Sequence, residues 1–104
     1  ACAAGSAAID FMCHHQLADR ASRLGEYFKE GFTETLPDPV REFRQMGLMI
    51  GIELKQKATP FLQALLDAGI IALPAGPTVI RLLPPLTIEE KQLDTVIDAL
   101  RRVL

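Results

Sequence analysis

From Leu48 to Leu54 the chain reads LMIGIEL, an alternation that sends Leu48, Ile50, Ile52 and Leu54 to one face of an extended segment and Met49, Gly51 and Glu53 to the other. A strand of this kind needs a core on one side only. Upstream, VREFR (40–44) is joined to it by a short QMG connection, so the two segments read as a hairpin. Other elements must supply the cover for its apolar face.

That cover is written at a helical period. Leu17, Ala21, Leu24, Phe28 and Phe32 form one stripe of an amphipathic helix beginning near Gln16, with Arg20, Arg23, Glu26, Lys29 and Glu30 mostly on the other side. The prolines of LPDP (36–39) end it. Thr59 as N-cap and Pro60 at the first helical position open a helix through FLQALLDA, closed by Gly69 in the left-handed conformation. IIAL (70–73), the PAGP turn and VIRLL (79–83) read as a second hairpin. Thr87 and Glu90 have capping-box spacing ahead of a last helix striped by Leu93, Val96, Ile97, Leu100 and Leu104, with Arg101 and Arg102 as its solvated, dipole-complementary end. Helix, two strands, helix, two strands, helix, with antiparallel pairs and helices on one face, is an α+β two-layer domain spanning residues 1–104.

Composition narrows the function classes. A chain of 104 residues supports one core, and 49% apolar with 23% charged residues is globular usage. A net charge of −2 supplies no basic field, which argues against a nucleic-acid or anionic-membrane partner. No apolar run approaches the roughly 18 residues of a membrane span, and the expectation is a cytoplasmic protein. Cys2 and Cys13, on one helix, would sit about 16 Å apart, too far to bridge. The opening ACAAGSAAIDFM is rich in helix formers without an initiator Met or a capping residue ahead of it. It reads as a cut inside a longer chain, its small residues packing against a part beyond the segment.

Arg81 is the one residue to which a chemical role attaches. In VIRLL, Ile80 and Leu82 point one way, so Val79, Arg81 and Leu83 point the other, away from the helices. The outer face then shows Met49, Val79 and Leu83 around a guanidinium, too apolar for a wholly solvated surface. Arg81 either snorkels to water, pairs with Glu53, or holds an anionic ligand. Cys13, His14 and His15 are helical neighbours pointing about 100° apart and do not converge on one ion. Met46 and Met49 either line a ligand pocket or, the commoner use of methionine, fill a core or interface.

Taken in order, ACAAGSAAIDFM, FRQMGLMIGIEL, LLDAGIIALPAG and VIRLLPPLTIEEKQLD resemble the C-terminal small domain of the class III pyridoxal-phosphate aminotransferases, most closely the acetylornithine and ornithine branch. The resemblance covers all 104 residues but only about the last quarter of such an enzyme. It implies that Arg81 binds the substrate's α-carboxylate. It implies further that the Schiff-base lysine and phosphate-binding residues belong to a large cofactor domain of the same chain, that the parent enzyme is a homodimer, and that the segment alone neither binds pyridoxal phosphate nor transaminates. None of Lys29, Lys55, Lys57 and Lys91 sits in that lysine's sequence context. Gln45 stands where the family has glycine, which puts the tightness of the hairpin turn in question. The alternatives are a free-standing module that binds a small carboxylate or a protein partner through the Arg81 face, and an excised domain.

Overall fold

The computed structural model describes residues 1–104. It contains helices α1 (Cys2–His14), α2 (Leu17–Thr33), α3 (Thr59–Asp67) and α4 (Glu90–Val103), and strands β1 (Val40–Met46), β2 (Met49–Leu54), β3 (Leu73–Pro74) and β4 (Val79–Leu82). The strands form one antiparallel sheet in the order β1-β2-β4-β3. This is the two-layer α+β arrangement expected, with one face of the sheet under helices.

Alternation and period explain the layers. Ile50, Ile52, Leu54, Ile80 and Leu82 point inward and are buried, meeting Leu24, Phe28 and Phe32 of α2 and Leu93, Ile97 and Leu100 of α4. Phe28 and Phe32 stack at 5.9 Å between ring centres, and Phe43 of β1 closes the cluster at 6.1 and 5.6 Å from them. Leu65 brings α3 onto the same core.

The β1–β2 hairpin is tighter than QMG suggested. Met46 pairs with Met49, leaving Gly47 and Leu48 as a two-residue turn. Gly47 has φ +56° and Leu48 does not share it, the pattern of a II′ turn that glycine opens. Gln45 is in the strand, and its Nε2 donates to Glu26 Oε1 on α2 at 3.0 Å, so the residue that differs from the family pattern does not loosen the turn.

Several boundaries differ from the sequence expectation. Residues 2–14 form a separate helix: α1 buries no residue and is divided from α2 at Gln16, whose φ of 49° is left-handed. Thr59 is the first residue of α3 and not its cap; Ala58 holds that position without a side-chain bond. Downstream, the Gly69 expectation holds: with φ +86°, it lets its own amide reach Leu66 O and the Ile70 amide reach Leu65 O, a Schellman closure. The IIAL strand shrinks to Leu73–Pro74, an edge strand in which proline offers no donor. The box opening α4 is Glu89 with Gln92, the Glu89 amide donating to Gln92 Oε1 at 2.9 Å, in place of Thr87 with Glu90.

Candidate functional site: the outer face of the sheet

Because β4 lies between β2 and β3, its outward side chain at position 81 sits in the middle of the sheet. The register builds three rows across that face. Glu42, Glu53 and Val79 form one; Arg44, Gly51, Arg81 and Leu73 the next; Met46 and Met49 the third, near the hairpin turn. Gly51 therefore separates two arginines with no side chain of its own. A Cβ there would meet only Val79 Cγ1 at 3.8 Å, so packing within the domain does not demand glycine. What glycine does is leave a groove of about 330 Å³ open between Arg44, Met46, Met49 and Arg81.

The two arginines differ in electrostatic state. Arg44 Nη1 donates to Glu42 Oε2 at 2.8 Å and lies 3.4 Å from Glu53 Oε1. The hydrogen bond to Glu42, reinforced by both carboxylates, holds its guanidinium above the usual arginine range. Arg81 is exposed and belongs to none of the three ion pairs in the molecule, the third being Arg23 with Glu90. The pairing with Glu53 considered from sequence is not made: Glu53 stands opposite Val79 and turns to Arg44. A fork of parallel donors is thus left open at the centre of the face, matched to a planar carboxylate.

Around it the face is apolar. Met46 is 77% exposed and Met49 57%, with Leu73 and Leu83 also open. The methionines are therefore not core filling; both are exposed and line the groove beside Arg81, as the pocket-lining alternative has it. A second hollow of about 250 Å³ runs between the end of α3, the chain after β4 and α4, floored by Phe28 and Ile50. No charged side chain lines it, so it has nothing with which to orient a polar substrate.

The remaining candidates fall elsewhere. Cys13, His14 and His15 lie exposed at the end of α1, no group of three or more metal-ligating side chains exists, and both cysteines are free. Arg101, read as a solvated end, instead donates to the Gly31 carbonyl on α2. Sequence reading also passed over Tyr27, whose hydroxyl donates to Asp94 Oδ1 at 2.7 Å. That bond, with the nearby acidic charges, raises its pKa above the ordinary phenol value. With Arg23 donating to Glu90 at 3.2 Å and Arg20 to Leu86 O at 2.8 Å, these contacts tie α2 to α4 and to the segment that leads into it. Their signal was present only as polar residues on facing helical edges, which sequence alone does not pair.

The sheet thus presents one bare, half-apolar face with an exposed guanidinium outside every ion pair at its centre. The chain belongs to the class-III aminotransferases, whose family model matches residues 1–104. It is 39% identical over 103 residues to an ornithine aminotransferase of Macrococcus caseolyticus, covering 99% of this chain and 26% of that one. Against the [LysW]-aminoadipate semialdehyde transaminase of Deinococcus radiodurans it is 41% identical, over 98% of this chain and 24% of the other. Among solved structures, acetylornithine aminotransferase from Elizabethkingia anophelis superposes with a TM-score of 0.91 at 29% identity, over 98% of this chain and 28% of that chain. The chain thus spans about a quarter of the length of the relatives it matches.

Proposed function

We propose that these residues are the C-terminal small domain of a pyridoxal-phosphate-dependent aminotransferase that acts on acetylornithine, ornithine or a related ω-amino acid in cytoplasmic arginine or lysine biosynthesis. Arg81 is the group that binds the substrate's α-carboxylate. The observation that carries the reading is the free, central guanidinium beside side-chain-free Gly51. The relatives' names supply the substrate class.

The groove does not itself fit the cofactor. None of the chain's four lysines lines it, so no side chain there is suited to hold a carbonyl cofactor covalently. In this reading the cofactor, which supplies the electron sink, is held by residues outside the segment, on a large domain that covers the apolar outer face. The parent enzyme is a homodimer. What the present residues contribute is positioning: two donors from one guanidinium grip the carboxylate and fix the direction in which the amine points.

The test is kinetic. In the full-length enzyme, Arg81→Ala removes a charge-assisted bidentate contact of about 1.5–3 kcal/mol, lowering kcat/KM on the order of ten- to a hundredfold while cofactor absorbance is retained. Arg81→Lys recovers little, because an ammonium lacks the planar fork. Normal activity in Arg81→Ala would remove the assignment.

A further inference from the structure

The proposed role of Arg81 requires that its guanidinium stay free, yet the outer face holds two carboxylates within two strands of it. Glu53 is the nearer competitor by topology. It projects from the same face as Arg81 on the adjacent strand, opposite Val79 and therefore diagonal to Arg81. Diagonal partners on one face of an antiparallel pair are within reach of long side chains. The residue directly opposite Arg81 is Gly51, which places no atoms in the way. The side chain nearest the gap is that of Val79, whose Cγ1 lies 3.8 Å from where a Gly51 Cβ would stand.

What holds the Glu53 carboxylate back is Arg44. That arginine stands on the other side of Gly51 in the same row as Arg81, and its Nη1 reaches Glu53 Oε1 at 3.4 Å and Glu42 Oε2 at 2.8 Å. The outer face thus carries two arginines and two glutamates, but both carboxylates are collected on one guanidinium. We infer that Arg44 is a positioning residue that sequesters Glu53 and so keeps the Arg81 guanidinium available to an incoming carboxylate. This deepens the reading of Arg81 as carboxylate clamp and rests on it.

The expected consequence follows from competition. Without Arg44, the Glu53 carboxylate occupies Arg81 for part of the time, and the apparent substrate affinity falls by the fraction of free guanidinium. Exposed ion pairs couple weakly, so the occupied fraction corresponds to an effect of about two- to fivefold and not more. Saturating substrate displaces an intramolecular competitor, so the change belongs in KM, with kcat preserved.

The experiment compares four forms of the full-length enzyme: wild type, Arg44→Met, Arg44→Met with Glu53→Gln, and Arg81→Ala. Methionine keeps the aliphatic stem on a face that already exposes Met46 and Met49; Arg44→Gln is the second variant should the first fail to fold. The inference expects KM for the amino-acid substrate to rise roughly two- to fivefold in Arg44→Met at constant kcat, and to return to the wild-type value when Glu53→Gln is added. An unchanged KM in Arg44→Met overturns it, and so does a raised KM that Glu53→Gln does not rescue, since Arg44 would then act directly or through the hairpin's shape. Arg81→Ala separates this from the underlying reading. If Arg81→Ala leaves kcat/KM intact, the clamp assignment fails along with the guard. If it lowers kcat/KM while Arg44→Met is silent, only the guard fails.

Discussion

Gly25 offers a sharp test of how the helical layer is seated on the hairpin. It is buried in the middle of α2, and a Cβ built there would lie 2.1 Å from Gly47 O, 2.6 Å from Gly47 C and 3.0 Å from Gly47 Cα. All three obstacles are backbone atoms of the II′ turn, so no rotamer change relieves them. Reaching ordinary contact at 3.4 Å or more requires the helix or the turn to retreat by over an ångström. Overpacking of this kind costs about 1–3 kcal/mol, and replacing a mid-helix glycine returns about 1 kcal/mol of helix propensity. Because the obstacle is rigid, the upper part of that range applies. Gly25→Ala is expected to lose about 1–2 kcal/mol net, a fall of roughly 4–15 °C in Tm for a domain of this size. Thermal unfolding by circular dichroism reads it directly. Gly5→Ala in α1 is the control, since nothing lies within 4 Å of its added Cβ: it should raise helicity by removing a glycine cost of about 0.5–1 kcal/mol without lowering Tm. Should Gly25→Ala match the wild type or exceed it, the close approach of α2 to the turn is not what glycine is there to permit.

Three further outcomes are expected. Tyr27 has a folded-state pKa above its unfolded one, because Asp94 accepts the phenol's hydrogen bond. Its contribution is therefore complete below the unfolded pKa of about 10 and is lost as pH rises through the folded value. Tyr27→Phe should flatten that part of the alkaline loss of Tm, and an unchanged profile would show that the bond does not couple to folding. Phe28→Ala removes a fully buried ring stacked between Phe32 and Phe43 and should cost about 3–5 kcal/mol, enough to abolish cooperative unfolding in a marginal domain. Arg101→Met should lower Tm modestly, while Arg102→Met should not, because only Arg101 reaches the Gly31 carbonyl.

Legibility in the sequence tracked how local the governing physics was. The stripe Leu17 to Phe32, the alternation through Leu54 and the stripe Leu93 to Leu100 were readable because burial repeats at the period of the backbone itself, and the residues so marked are in the core. The face of Arg81 followed from the same parity. Ends were less legible. Two polar pairs three residues apart, Thr87 with Glu90 and Glu89 with Gln92, both fit the spacing of a capping box, and only the extended backbone at Glu89 shows which pair caps the helix. The IIAL run had strand composition but ended at an edge against a proline, so only Leu73 and Pro74 paired. Contacts between distant segments were not legible at all: Gly25 against Gly47, Tyr27 against Asp94, and Arg101 against Gly31 each need the fold before the partner is known.

The same distinction bears on the site. Parity placed Arg81 on the outer face; only the β1–β2 register adds Arg44 to the same row, and residue type alone makes the two equivalent. They become different only through register: a two-residue slip of β4 along β2 would place Glu53 opposite Arg81, and a one-residue slip would turn Arg81 beneath the helices. The II′ turn at Gly47 and Leu48 sets the β1–β2 register, and the buried pair Ile52 and Ile80 sets that of β2 with β4. Between them they bring Glu53 to Arg44 and leave Gly51 facing Arg81. A free guanidinium on this sheet is thus a property of strand alignment, because the register that seats the core also sets Arg44 where it engages both carboxylates of the face.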